Sequence, residues 1–173
     1  MPVPVPPGPG QESVWDYPRP PRLERSTRHV RITAGPPGAD GDGPLLLADT
    51  RRSWRVLETS HPPVHYVAAE DLDARLLRPA AGRSWCEFKG QARYVDLVDP
   101  DGRLLAADAG WTYPDPAPGY EGLVGAVALY PGRVTSCRLD GELVRPQAGG
   151  FYGGWITDDV VGPFKGEPGT TGW

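Results

Sequence analysis

Cysteine is scarce in this chain. Cys86 and Cys137 are the only two, and neither belongs to a C-x-x-C pair. That spacing argues against a zinc ribbon and predicts two reduced thiols in or near the core, with no bound metal. Long hydrophobic runs are missing too, and nothing approaches the ~18 residues of a membrane-spanning helix. The opening Met1-Pro2-Val3-Pro4 has neither the basic stretch nor the apolar stretch of a secretory signal. A cytoplasmic protein without a disulfide is therefore the expectation, with no membrane partner. Positive charge is not in excess: the net charge is −4 and the pI is near 5.3. Duplex nucleic acid is accordingly not an expected partner. No Walker loop, G-x-S-x-G elbow or H-E-x-x-H helix occurs, so the chemistries that depend on them are not indicated, and no cofactor is expected.

Glycine and proline are abundant, at 23 and 22 residues, which favours turns over long elements. Six Trp, seven Tyr and three Phe argue against general disorder, because disordered chains are poor in aromatics. A length of 173 residues suits one domain. Residues 1–11 alternate Pro with Val and Gly and read as a disordered, partly polyproline leader. Residues 12–173 read as the domain. From Gly150 to Trp173 glycines alternate with Tyr152, Trp155, Phe164 and Trp173. This pattern predicts a tail held against the body by its aromatic rings and placed to wall a site.

Alternation of polar and apolar residues predicts strands over 28–32, 45–49, 54–59, 64–67, 92–99, 103–108, 123–130, 134–139 and 142–145. Asp99-Pro100-Asp101-Gly102 and Asp140-Gly141 are hairpin turns by composition. Glu70 to Leu77 has acids first, an arginine late, and Leu72 and Leu76 on one face, which predicts one short helix stopped by Pro79. The expected fold is mostly β: a compact antiparallel two-sheet domain or half-open barrel with that single helix.

Several blocks together resemble the family known as domain of unknown function 427. They are Arg55-Val56-Leu57-Glu58-Thr59 with His61-Pro62-Pro63, Cys86-Glu87-Phe88-Lys89-Gly90, Trp111-Thr112-Tyr113-Pro114, Gly125 to Pro131, and the Gly-Trp-rich tail. The resemblance implies a compact, tent-like β domain. Relatives often carry paired cysteines for structural zinc, which this chain lacks, and some members bear a nucleotidyltransferase label. A polymerase-β-type transferase needs two carboxylates one residue apart to hold Mg²⁺. The nearest text is Gly38-Ala39-Asp40-Gly41-Asp42, in a loop, without a third acid in evident register.

The residues most suggestive of chemistry are dispersed. Glu58 closes an apolar strand and is followed by His61 and His65, either a solvated strand end or an acid/base pair at a sheet mouth. In a continuing strand, Cys86 and Phe88 would share one face and Glu87 and Lys89 the other. That makes Lys89 either an outward charge or a grip for an anionic ligand. Trp111 and Tyr113 share a face and, with Trp155, form either ordinary core or an aromatic cage. Tyr66 and Cys86 complete the candidate lining. The expected function is binding of a small polar or anionic molecule in an aromatic cleft. The alternatives are a hydrolase or transferase using Glu58 or His61 as acid/base with Lys89 as electrostatic stabiliser, and a scaffold recognised through its Pro-rich start.

Overall fold

A computed structural model describes residues 1–173. It contains two main antiparallel sheets and no α-helix. The larger has seven strands in the order β2 (Arg22–Ser26), β5 (Ser53–Leu57), β6 (Val64–Ala68), β10 (Ala126–Leu129), β9 (Leu104–Thr112), β8 (Gly90–Val98) and β7 (Leu77–Cys86). The smaller has four, in the order β12 (Glu142–Leu143), β11 (Ser136–Leu139), β3 (Val30–Ala34) and β4 (Leu45–Thr50). Two short pairings bind the ends of the chain. β1 (Glu12–Ser13) runs parallel to β15 (Val160–Val161), and β13 (Arg145–Pro146) runs antiparallel to β14 (Trp155–Ile156).

The turns follow their residues. Asp140 and Gly141 both take positive φ, 50° and 84°, between β11 and β12. A two-residue hairpin needs that conformation, and Asp-Gly adopts it at low cost. At the other hairpin the Asp99 carboxylate accepts from the backbone N–H groups of Asp101 and Arg103, closing the β8–β9 connection.

Two expectations change. Residues 70–77 are not a helix of two turns but two 3-10 turns, Ala69–Asp71 and Ala74–Leu76. Leu72 closes the first, its N–H donating to the Ala69 carbonyl, Asp73 caps the second by accepting from the Arg75 N–H, and Leu77 already belongs to β7. No strand was expected over 77–86, yet β7 runs there through Pro79, expected only to stop a helix, and through Gly82. It is the outermost strand of its sheet and carries a register shift between Pro79 and Arg83. An edge strand with a bulge tolerates a residue that cannot donate a hydrogen bond.

The larger sheet is apolar on both faces. Val67, Leu97, Val127 and Leu129 point toward the smaller sheet and meet Val30, Ile32 and Leu47 there. The alternate residues, among them Tyr66, Trp111, Ala126 and Ala128, form a second cluster on the opposite face. Residues 1–11 contain no strand or helix, and the Val5 N–H donates to the Gly162 carbonyl at 2.8 Å. The tail lies on the body: Trp155 and Val160 are buried, and the Trp15 and Trp173 rings pack edge-on at 5.4 Å.

Candidate functional site

Cross-strand register builds the site. Tyr66, Ala128, Trp111 and Tyr94 lie side by side across β6, β10, β9 and β8. The residue between Tyr66 and Trp111 is thus an alanine, and Ala126 is small as well. Large rings flanking small residues leave a hollow over the sheet. Three chain segments wall it: the strand end at 58–62, the tip of the β7–β8 hairpin, and the stretch 147–153 with Lys165. The cavity has a volume of about 250 Å³. Nine of the sixteen aromatic residues in the chain line it, Trp111, Tyr113 and Tyr130 among them.

Of the residues singled out from sequence, Glu58, His61, Tyr66, Cys86, Lys89, Trp111 and Tyr113 all border this one cavity. Trp155 does not. Its ring is 1 % exposed within the core between the sheets, where its indole N–H donates to the Leu129 carbonyl at 3.2 Å and its ring packs on His65 at 4.7 Å. Gly154 holds that stretch tight: a Cβ there would sit 2.5 Å from the Gln147 carboxamide oxygen and from Pro62. Tyr152 and Gly153 take the wall position that Trp155 was expected to hold. His65 is also away from the cavity, buried, with its Nδ1 lacking a hydrogen-bond partner. Burial lowers its pKa to about 3, so it is neutral.

The strand alternation expected through residues 86–89 ends at Cys86, because Glu87 to Lys89 form the hairpin turn. Glu87, Phe88 and Lys89 therefore all border the cavity. Gly90, at φ 105°, admits the backbone of residues 115–117 close to the tip, and the Ala117 N–H donates to the Lys89 carbonyl at 2.8 Å. Clamped this way, Lys89 is only 8 % exposed. Its ammonium has no carboxylate partner and no hydrogen-bond acceptor, and the nearest π face is Tyr113 at 6.0 Å. Glu58 is engaged elsewhere, with its carboxylate 3.7 Å from the Arg19 guanidinium.

Gln147, buried at the base of the wall, has all its polar atoms committed. Its Oε1 accepts from the Gly154 N–H at 3.0 Å, and its Nε2 donates to the Lys165 carbonyl at 2.7 Å. Turning the amide over would set oxygen against the Lys165 carbonyl and nitrogen against the Gly154 N–H, so its orientation follows from its partners. Its Nε2 lies 3.1 Å from His61 Nδ1, which must then accept. His61 is thereby the neutral tautomer carrying its proton on Nε2. Burial first, then the charges of Lys165, Arg19 and Lys89, lower its pKa to about 4, in keeping with that state. The phenols of Tyr66 and Tyr113 are raised by burial and stay protonated, and Tyr66 accepts from the Trp111 indole N–H at 3.1 Å.

Sequence reasoning missed Gln147 and Lys165, and gave Tyr152 only as one of the rings that hold the tail to the body. A compositional signal was present: the chain has only two lysines against sixteen arginines, and both stand in a Phe-Lys-Gly triplet, at 88–90 and 164–166. Both border the cavity. Lys165 differs from Lys89 in having a partner, since its ammonium donates to the Trp173 main-chain oxygen at 3.0 Å. The Gly38–Asp42 loop lies on the smaller sheet and is structural. Asp42 accepts from Ser136 at 2.7 Å and from Arg138 at 2.8 Å, with Arg31 at 2.9 Å on its other oxygen. Those partners hold its carboxyl below the usual range and leave it committed within the protein.

Fold and site together define a two-sheet antiparallel β domain with an aromatic, lysine-bearing cavity on the outer face of its larger sheet. The family model described as Domain of unknown function (DUF427) matches residues 22–140, and the chain belongs to that family. No curated protein matches the chain. The matched segment supplies Glu58, His61, Lys89 and the sheet floor, whereas Gln147, Tyr152 and Lys165 lie beyond it. No helix is long and apolar enough to cross a membrane.

Proposed function

We propose that this protein binds a small organic anion in the cavity, gripped by Lys89 and by the Nε2–H of His61. One observation carries the reading: Lys89 is held at the cavity with 8 % of its surface exposed, and its ammonium, which keeps contact with the solvent there, has no protein hydrogen-bond or carboxylate partner. An ammonium without a protein partner, partly shielded from bulk water by an apolar wall, attracts an anion more strongly than one in open solvent, and a ligand anion supplies the missing counterion. Of the two carboxylates that line the cavity, Glu58 is paired with Arg19, and Glu87 sits on the hairpin tip beside Lys89. The acid/base alternative has less support. His61 already bears a proton on Nε2 and uses Nδ1 on Gln147, and its low pKa opposes a second proton. A general base needs a free lone pair at its working pH.

The test is a thermal-shift series of small carboxylates and phosphate esters on the parent and on Lys89→Met. A native-state ligand raises the melting temperature in proportion to its occupancy. At least one anion is expected to raise the parent and to leave the variant unmoved. Equal shifts in both proteins would overturn the reading.

A further inference from the structure

The chemistry of the walls narrows the occupant. We infer that the cavity takes a single aromatic ring bearing one anionic group, with the ring against the Tyr66–Trp111 floor and the anion at Lys89 and His61. This rests on the anion-binding reading and adds the ring to it.

Three observations carry the ring. The first is concentration: more than half of the aromatic residues of the chain surround one hollow instead of filling the core between the sheets. Ring faces and edges pair with another ring by offset or edge-on packing, worth about 0.5–1.5 kcal/mol beyond the area buried. The second is size. An apolar cavity of about 150 Å³ accepts benzene. The 250 Å³ found here leaves room for a ring and one compact substituent, below the ~300–1,000 Å³ of pockets for larger ligands. The third is the rim. Trp85 is 72 % exposed and Phe151 59 % exposed, both at the border of this cavity. Isolated apolar side chains at a surface are ordinary, but two large rings at one mouth offer an occupant apolar area to cover.

The polar end is equally confined. Lys89 presents a point charge, and neutral His61 presents one N–H. A carboxylate or a phosphoryl group has enough oxygens to accept from both. Nothing in the lining distinguishes those two groups, so the shared chemistry is an aryl anion.

A matched set of probes tests this on the unmodified protein: benzoate, cyclohexanecarboxylate, benzamide and phenyl phosphate, titrated at about pH 7.5 by ligand-observed NMR. Benzoate is expected to bind at about millimolar Kd, a reasonable value for so small a molecule. It should bind about threefold to tenfold more tightly than cyclohexanecarboxylate, the increment of ring packing, and at least about tenfold more tightly than uncharged benzamide. Lys89→Met should erase the advantage over benzamide and keep part of the advantage over cyclohexanecarboxylate. If benzoate and cyclohexanecarboxylate bind alike and both exceed benzamide, the ring inference falls while anion binding stands. If benzamide equals benzoate, anion binding falls and this proposal with it. If no probe binds, both fall. Phenyl phosphate binding above or below benzoate supports the aryl anion in either case and assigns the preferred anionic group.

Discussion

Gly153→Ala is the most informative single perturbation, because it loads the cavity wall at one point. Gly153 has no left-handed backbone, so alanine meets no conformational penalty there. The new Cβ would stand 2.2 Å from one Trp111 ring carbon and 2.6 Å from the next. Ordinary carbon contacts are near 3.5–4.0 Å, so Trp111 or the tail must move by more than an ångström. Forcing an extra methyl into a packed site costs about 1–3 kcal/mol. Moving the indole also strains its hydrogen bond to Tyr66, worth about 1 kcal/mol. The sum is about 2–4 kcal/mol, or a melting temperature lower by roughly 5–15 °C for a chain of this size. The ring does have somewhere to go, since the cavity lies beside it. Rotation into that space would recover part of the stability and fill the binding volume. Two readouts are therefore needed: a melting curve and a benzoate titration. Gly172→Ala, where an added Cβ meets nothing within 4 Å, is the control and should stay within about 0.5 kcal/mol of the parent. If Gly153→Ala melts within about 2 °C of the parent and still binds every probe that the parent binds, the tail does not pack on Trp111 and the wall is wrongly assigned.

Three further outcomes are expected. Lys89→Met should leave stability unchanged or raise it slightly, because it removes a charge that has no protein partner; a urea midpoint equivalent to a loss beyond about 1 kcal/mol would make Lys89 a structural residue. Asp42→Ala should cost about 2–4 kcal/mol by stripping Arg31, Arg138 and Ser136 of their shared acceptor. It should leave probe binding intact, and a variant as stable as the parent would refute the structural role of that loop. Stability should fall as pH drops below about 6.5. Folded His61 and His65 resist protonation down to about 4 and about 3, so between those values and 6.5 the unfolded chain binds more protons. At about 1.4 kcal/mol per unit the His61 share alone is about 3 kcal/mol, and His65→Phe should flatten the slope measured in urea titrations across that range. An unchanged slope would place His65 in a solvated environment.

The strands were legible wherever a local rule governed them. Alternation located the strand at 92–99, and Asp140-Gly141 located the tightest hairpin, because both depend on neighbours within a few residues. β7 was not legible. Its proline and glycine are breakers by local rules, and only its place at the sheet edge makes them harmless. The helix expected over 70–77 failed for a related reason. A two-turn helix is marginal by itself, and the pairing of Leu77 with Leu97 draws the chain into the sheet at that point.

By itself the sequence determined the class of fold, the two hairpins with Asp-Gly turns, the family resemblance and seven of the residues around the cavity, because residue type and short spacing carry that information. Tertiary structure alone decided which of those residues face one another. Trp155 and Trp111 are indistinguishable as tryptophans near a strand. One plugs the core between the sheets and the other floors the cavity, since sheet register and the close approach at Gly153 and Gly154 set which side each ring takes. The same holds for the proton on His61. No local pattern links residue 61 to residue 147, yet Gln147, held by Gly154 and Lys165, decides which imidazole nitrogen accepts and which is left to donate. A binding site is a set of distances between residues far apart in the chain, and only the folded backbone sets those distances.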